Sequence, residues 1–191
     1  MKNAKELRKA LSNAIDWTAF FSLVANVGDE LNERKLRFDK SDLFEQAVAD
    51  FSGGTVEWVD KIGFDLIAFD KCRLEMKYAK GAMTTPKGKT KKKVKELKLV
   101  NTMGGGTSRE LTQTFDYLII CDEISAAIVS FDAVAKHCKS RDDSIVLRGF
   151  PAAELMWLVS PGTIKPRHVV IEKPYRNLKG EMQRGYIRQF Q

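Results

Sequence analysis

Cysteine and histidine are scarce: the chain has three cysteines, Cys72, Cys121 and Cys138, and two histidines, His137 and His168. An odd, scattered cysteine set with no CxxC pair builds neither a disulfide framework nor a zinc knuckle, so the thiols are expected to be reduced and largely buried. His137-Cys138 is too isolated for a zinc site, and His168 sits in a basic stretch where exposure or DNA contact suits it better. Long apolar runs are missing as well. Nothing approaches the roughly 18 apolar residues needed to span a bilayer. Met1-Lys2-Asn3-Ala4-Lys5-Glu6 leads into an amphipathic pattern rather than a signal-peptide core. The expected setting is soluble and cytoplasmic. Gly104-Gly105-Gly106-Thr107 lacks the Lys-Ser/Thr ending of a P-loop, and no Ser/His/Asp or Cys/His setting can be identified. Nucleotide hydrolysis and covalent nucleophilic catalysis therefore gain no support.

Positive charge, by contrast, is plentiful. The 191 residues carry a formal net charge of +7, and its distribution is regional. Eight lysines fall between Lys80 and Lys98 against the single acid Glu96, and a second basic stretch from Lys165 to Arg188 contains only Glu172 and Glu181 as acids. Clustered Lys and Arg bind a phosphate backbone by displacing its counterions, so a polyanion is the expected partner. With 43% apolar residues the chain can bury one substantial core, and a single domain over 1–191 is expected.

Along the chain, the 3.6-residue spacing of Leu7, Leu11, Ile15 and of Ala10, Ala14, Trp17, Phe21 predicts an amphipathic helix over 4–27. A second helix is predicted over 42–51, with Asp42 and Glu45 in a capping-box-like start and Ser52-Gly53-Gly54 ending it. From Thr55 the period becomes that of strands: 55–59, 62–69 and 72–78, an antiparallel meander. The stretch 79–108 reads as irregular, with Gly104-Gly105-Gly106 a flexible or close-approach segment. Phe115 to Cys121 has the continuous apolar character of a strand buried on both faces. A strand over 126–131, a helix over 131–138 and short elements at 154–159 and 169–172 complete the reading, with a basic C-terminal region over about 150–191.

The informative segment is Gly63-Phe64-Asp65-Leu66-Ile67-Ala68-Phe69-Asp70-Lys71-Cys72-Arg73-Leu74-Glu75-Met76-Lys77. Alternation along a strand puts Glu75 and Lys77 on one face. Asp65 reaches that face only if Phe69-Asp70-Lys71 forms a three-residue loop, because a two-residue turn inverts the parity. Two carboxylates close together on a rigid sheet make a hard-oxygen site suited to Mg²⁺, which retains waters and accepts a phosphate oxygen. A neighbouring ammonium would hold the attacking water and offset charge on the phosphate. Glu45 and Glu57 are possible accessory acids; Asp60 is a weaker alternative to Asp65; Asp122-Glu123 is best read as the start of a hairpin or helix.

Asp65 with Glu75-Met76-Lys77 resembles the signature of the PD-(D/E)xK nuclease superfamily, although no proline precedes Asp65. The resemblance covers about residues 42–140. It implies an α/β (α+β) restriction-endonuclease-like core, a central mixed sheet flanked by helices, with Asp65, Glu75 and Lys77 catalytic and Asp65 and Glu75 holding Mg²⁺. The small size and basic loops look most like a type II restriction endonuclease, a resemblance that implies a homodimer acting on double-stranded DNA. Lys80, Lys87, Lys89, Lys91, Lys92, Lys93, Asn101, Arg109, Gln113 and Arg167 are the candidate DNA contacts, since such side chains reach phosphates and base edges. A non-catalytic nucleic-acid binder using Tyr78, Tyr175 and Tyr186 as stacking platforms is the rival reading, and a nuclease of the same fold acting on junctions or single strands is another.

Overall fold

The computed structural model describes residues 3–34, 41–61, 63–99, 113–141 and 144–164, and beyond these the strand segments 168–172, 175–176, 182–183 and 186–190. The N-terminal region begins with α1 (Ala4–Ala14), opened by a reciprocal cap in which Asn3 Oδ1 accepts from the Glu6 amide and Glu6 Oε2 from the Asn3 amide. The predicted single helix over 4–27 is two helices. Ile15 is extended, and the Asp16 carboxylate accepts the amide of Ala19 at 3.0 Å, which starts α2 (Trp17–Arg34) on a new axis. The apolar periodicity runs through the break because both helices lean on one core: Leu7 and Leu11 from the first, Trp17, Phe20, Phe21 and Val24 from the second. α3 (Ser41–Asp50) adds Phe44, Ala47 and Val48 to the same core. A turn through Gly53 and Gly54, both at positive φ, follows its last residue, Asp50.

Next come β1 (Glu57–Lys61), β2 (Phe64–Ala68), β3 (Cys72–Tyr78), β4 (Leu97–Leu99), β5 (Tyr117–Cys121), β6 (Ala126–Ser130), α4 (Phe131–His137), β7 (Cys138–Arg141), β8 (Ser144–Leu147) and β9 (Met156–Val159). They are followed by β10 (His168–Glu172), β11 (Tyr175–Arg176), β12 (Met182–Gln183) and β13 (Tyr186–Phe190). A six-stranded sheet in the order β1-β2-β3-β5-β6-β9 forms the centre, antiparallel except where β3 runs parallel to β5. β4, β8 and β7 make a second sheet; β10 pairs with β13 and β11 with β12.

The central sheet is covered on both faces. Leu66, Leu74, Met76, Ile119 and Ile128 meet α1, α2 and α3 on one side. Leu118, Ile120, Ala127 and Val129 meet Val134 of α4 and the Leu97, Leu99 and Leu147 side chains of the second sheet on the other. Consecutive residues of β5 thus enter opposite cores, which is why that strand is apolar without alternation. The molecule is a mixed α+β fold with a central mixed sheet flanked by helices. No helix among the described residues is long and apolar enough to cross a membrane.

Candidate active site

The β2–β3 hairpin decides the geometry. Phe69–Lys71 forms a single 3-10 turn with Asp70 and Lys71 both at positive φ, giving the odd, three-residue loop that the parity argument requires. The register runs Ala68 with Cys72, Ile67 with Arg73 and Leu66 with Leu74. Continued by one residue, it sets Asp65 across from Glu75. At the start of β2, Gly63 has φ +102°, and a Cβ there would lie 2.5 Å from the Thr114 side chain. Only glycine lets the chain turn into β2 so close to its neighbour.

Past the end of that ladder, Asp65 Oδ2 accepts the Met76 amide at 2.7 Å, which locks the side chain against β3. Glu75 is only 3% exposed. Its Oε1 pairs with Lys77 Nζ at 2.5 Å, while its Oε2 is buried without a hydrogen-bond partner. A carboxylate oxygen left unmet inside a protein is costly, and a bound water or an ion is the kind of partner that meets it. Glu45, on α3, is also turned inward, at 7% exposure.

Electrostatics tie these groups together. Burial, then the Glu75 charge, pushes the Asp65 carboxyl from 3.8 to about 6. Burial, then Asp65, pushes Glu45 from 4.5 to about 7. Burial opposes the charged form of Lys77, but the Glu75 and Asp65 carboxylates outweigh it and raise its pKa. Three carboxylates against one ammonium leave a formal charge of −2 in a half-buried space, a deficit that a divalent cation matches. Among the described residues no three His, Cys, Asp or Glu side chains are already gathered as a metal cage. Mg²⁺ does not require one, since one or two carboxylates with waters and a substrate phosphate complete its shell. Asp65 and the orphaned oxygen of Glu75 fit that role.

Other predicted residues are placed differently. Glu57 lies opposite Ile67, not Asp65, and is exposed. Asp60 falls within β1, its side chain outside the described residues. Arg73 shares the strand face of Glu75 and Lys77, but its amide (2.8 Å) and its Nη2 (3.0 Å) both donate to Asp116. Burial works against the Asp116 charge, yet the Arg73 contacts hold its carboxyl below the usual range. Asp122, read as the start of a hairpin or helix, does open the β5–β6 hairpin turn and is fully buried there. Its oxygens accept from the amides of Met83, Thr84, Ile124 and Ser125 and from the hydroxyls of Thr84 and Ser125. That set docks the start of the basic segment on the sheet and occupies the carboxylate.

Of the candidate DNA contacts, Lys80, Lys87, Lys89, Lys92, Lys93 and Gln113 are exposed, and Lys80 lies 3.9 Å from Glu123. Lys91 is half-buried and donates to the Gly81 carbonyl, so its charge is engaged within the loop. The expected irregularity of 79–99 is partial. Thr84 bridges Thr90, Lys93 bridges Pro151, and the Val94 amide donates to the Phe150 carbonyl. Asn101, Arg109, Arg167 and the Gly104-Gly105-Gly106 run lie outside the described residues, as do the Tyr175 and Tyr186 side chains; Tyr78 packs edge-on against Phe44 rather than standing free. His137 packs edge-on against Phe150, away from any ligand set. The thiols are buried or half-buried, burial pushing Cys72 up to about 12 and Cys138 to about 11.

One residue that the sequence pattern passed over is Trp58. Its Nε1–H is buried without a hydrogen-bond partner, although it sits near enough to Glu45 to favour that group's charged form. Nothing in a strand-period tryptophan separates such a role from core packing. No protein-family model, no curated protein and no solved structure matches the chain.

Proposed function

We propose that this chain is a Mg²⁺-dependent endonuclease that hydrolyses phosphodiester bonds in double-stranded DNA, with a PD-(D/E)xK core and the working habit of a type II restriction enzyme, a homodimer specific for a short duplex site. The observation that carries the reading is the unpartnered Glu75 Oε2, buried beside Lys77 and across the hairpin from Asp65. Asp65 and Glu75 would hold the metal, which when bound supplies Lewis acidity and a lowered pKa for water.

The chain's own groups do the rest. The Met76 amide fixes the Asp65 carboxylate, so little rearrangement is needed on loading. Lys77 stays protonated at neutral pH, because the surrounding carboxylates raise its pKa, and so acts as a donor rather than a base. One of its N–H groups is taken by Glu75. The other two remain to orient the attacking water and to bind a phosphate oxygen as charge builds there. Exposed Lys87, Lys89, Lys92 and Lys93 supply the phosphate backbone contacts outside the site.

The test is digestion of a phage genome with and without Mg²⁺, with the fragment ends sequenced. Discrete ends are expected from the wild-type chain, and Glu75→Ala and Lys77→Ala are each expected to lose at least about 100-fold in rate, the size of a lost transition-state contact, while binding duplex within a few-fold of wild type. Cutting by either variant near the wild-type rate rejects the site. Tight binding by wild type with no metal-dependent cleavage favours the non-catalytic reading.

A further inference from the structure

The chain entering β5 lies against the sheet face that carries Glu75 and Lys77. Glu75 pairs with Leu118 across β3–β5, and paired residues share a face. Phe115 is buried in the same cluster as Leu118, its ring 5.2 Å from that of Phe131, which places it on the Glu75 side rather than the helix side. Asp116 is tied to Arg73, two residues before Glu75, through its own amide and its carboxylate. Ahead of it, the chain meets the start of β2. Phe64 packs against that same cluster, and the Thr114 side chain fills the space left by Gly63, its Cβ 2.5 Å and its Oγ1 2.9 Å from where a Gly63 Cβ would lie. Thr114 is thus bracketed by the two strands of the site: the glycine it touches is two residues from Asp65, about 7 Å of extended chain, and its own neighbour Asp116 is fixed beside β3. Thr114 is half-buried, and among the described residues no group hydrogen-bonds its hydroxyl. The half-buried Ser12 hydroxyl, by comparison, donates to the Leu158 carbonyl at 3.0 Å.

We propose that Thr114 is a substrate-binding residue of the Asp65–Glu75 site, its hydroxyl donating to a non-bridging oxygen of the phosphate that the cation holds. The inference rests on the nuclease reading above and adds a further group that touches its substrate. A threonine hydroxyl has one hydrogen to give, and a phosphate oxygen is an acceptor that arrives only with substrate. Being neutral, the hydroxyl orients the phosphate without adding charge, whereas Lys77 supplies the charge. Gly63 serves the same end, because a side chain there would push Thr114 out of place.

The test compares Thr114→Val, which keeps the branched shape and loses the hydroxyl, with Thr114→Ser, which keeps the hydroxyl. In digestion of phage DNA with Mg²⁺, Thr114→Val is expected to cut about 10- to 100-fold more slowly than wild type, the effect of one lost hydrogen bond to a charged group. Thr114→Ser is expected to cut within a few-fold of wild type. Both variants are expected to keep the wild-type melting temperature, the wild-type Mg²⁺ affinity by calorimetry and the wild-type duplex affinity in EDTA. Cutting by Thr114→Val near the wild-type rate, equal losses in the two variants, or a loss in Thr114→Val matched by weaker Mg²⁺ binding overturns the role of Thr114 and leaves the Asp65–Glu75 site standing. A wild-type chain with no Mg²⁺-dependent cleavage overturns both.

Discussion

At the scale of single residues, Asp65 and Glu45 carry the cost of the site. A carboxyl whose folded pKa lies above its unfolded value binds more protons in the folded state, so its contribution opposes folding at high pH and the opposition is relieved as pH falls through the folded value toward the unfolded one. For Asp65 that window runs from about 6 down to 3.8, and for Glu45 from about 7 down to 4.5. The metal-free protein is therefore expected to gain from these two groups as pH drops from 8 to about 5. Asp65→Asn keeps an oxygen to accept the Met76 amide while removing the charge. It should raise stability at pH 8 by about 1–3 kcal/mol, at roughly 1.4 kcal/mol per pKa unit, and flatten the pH dependence. Denaturant unfolding in EDTA at pH 5.5 and 8 measures both, and a variant less stable than wild type at pH 8 would contradict the electrostatic account.

At the scale of elements, the basic segment is less loose than its composition suggests, and Asp122 is the reason. Its six accepted hydrogen bonds join the β5–β6 turn to Met83 and Thr84. Asp122→Ala leaves several buried donors unmet and should cost about 3–5 kcal/mol, read as a lower denaturant midpoint; a loss under 1 kcal/mol would mean that the loop is held by other contacts. The lysines themselves divide by geometry. Lys92 and Lys93 are exposed, whereas Lys91 is spent on Gly81. Replacing Lys92 and Lys93 by alanine should lower the magnitude of the log K against log salt slope by up to about 0.9 for each contact removed, and Lys91→Ala should leave the slope unchanged while loosening the loop. Equal slopes for wild type and the double variant would place the phosphate contacts elsewhere, with Lys165 to Arg188 the next segment to test.

For the whole molecule, burial and mutual repulsion hold the Glu45 and Asp65 carboxyls above the ordinary range, so folding brings α3 and the β2–β3 hairpin together at an electrostatic cost. Anything that binds only the folded state stabilises it, by about 2.7 kcal/mol at a ligand concentration 100 times Kd. Saturating Mg²⁺ should thus raise the melting temperature of the wild-type chain at pH 7 and release protons, since Glu45 and Asp65 hold part of a proton each there and ligands must deprotonate. Glu75→Ala should lose most of that rise. Identical melting curves with Mg²⁺ and with EDTA would remove the cation from the account of this fold.

Much of this was legible in the residues alone. Periodicity located the strands 72–78 and 126–130 and the helix after Phe131 to within a residue, because those segments bury faces with an unambiguous repeat. The placement of Glu75 beside Lys77 followed from strand alternation, whereas that of Asp65 hung on the length of the Phe69–Lys71 loop, which only the structure decided. The break at Ile15-Asp16 was hidden, since both helices feed one core and the apolar pattern does not lapse. The turning inward of Glu45, the capture of Arg73 by Asp116 and of Lys91 by Gly81, and the unmet N–H of Trp58 were decided only by the tertiary structure. Each joins segments distant along the chain or separates side chains of one type by surroundings. Local spacing determines which way a side chain leaves its own strand or helix; what waits for it there is set by how the other elements close over it.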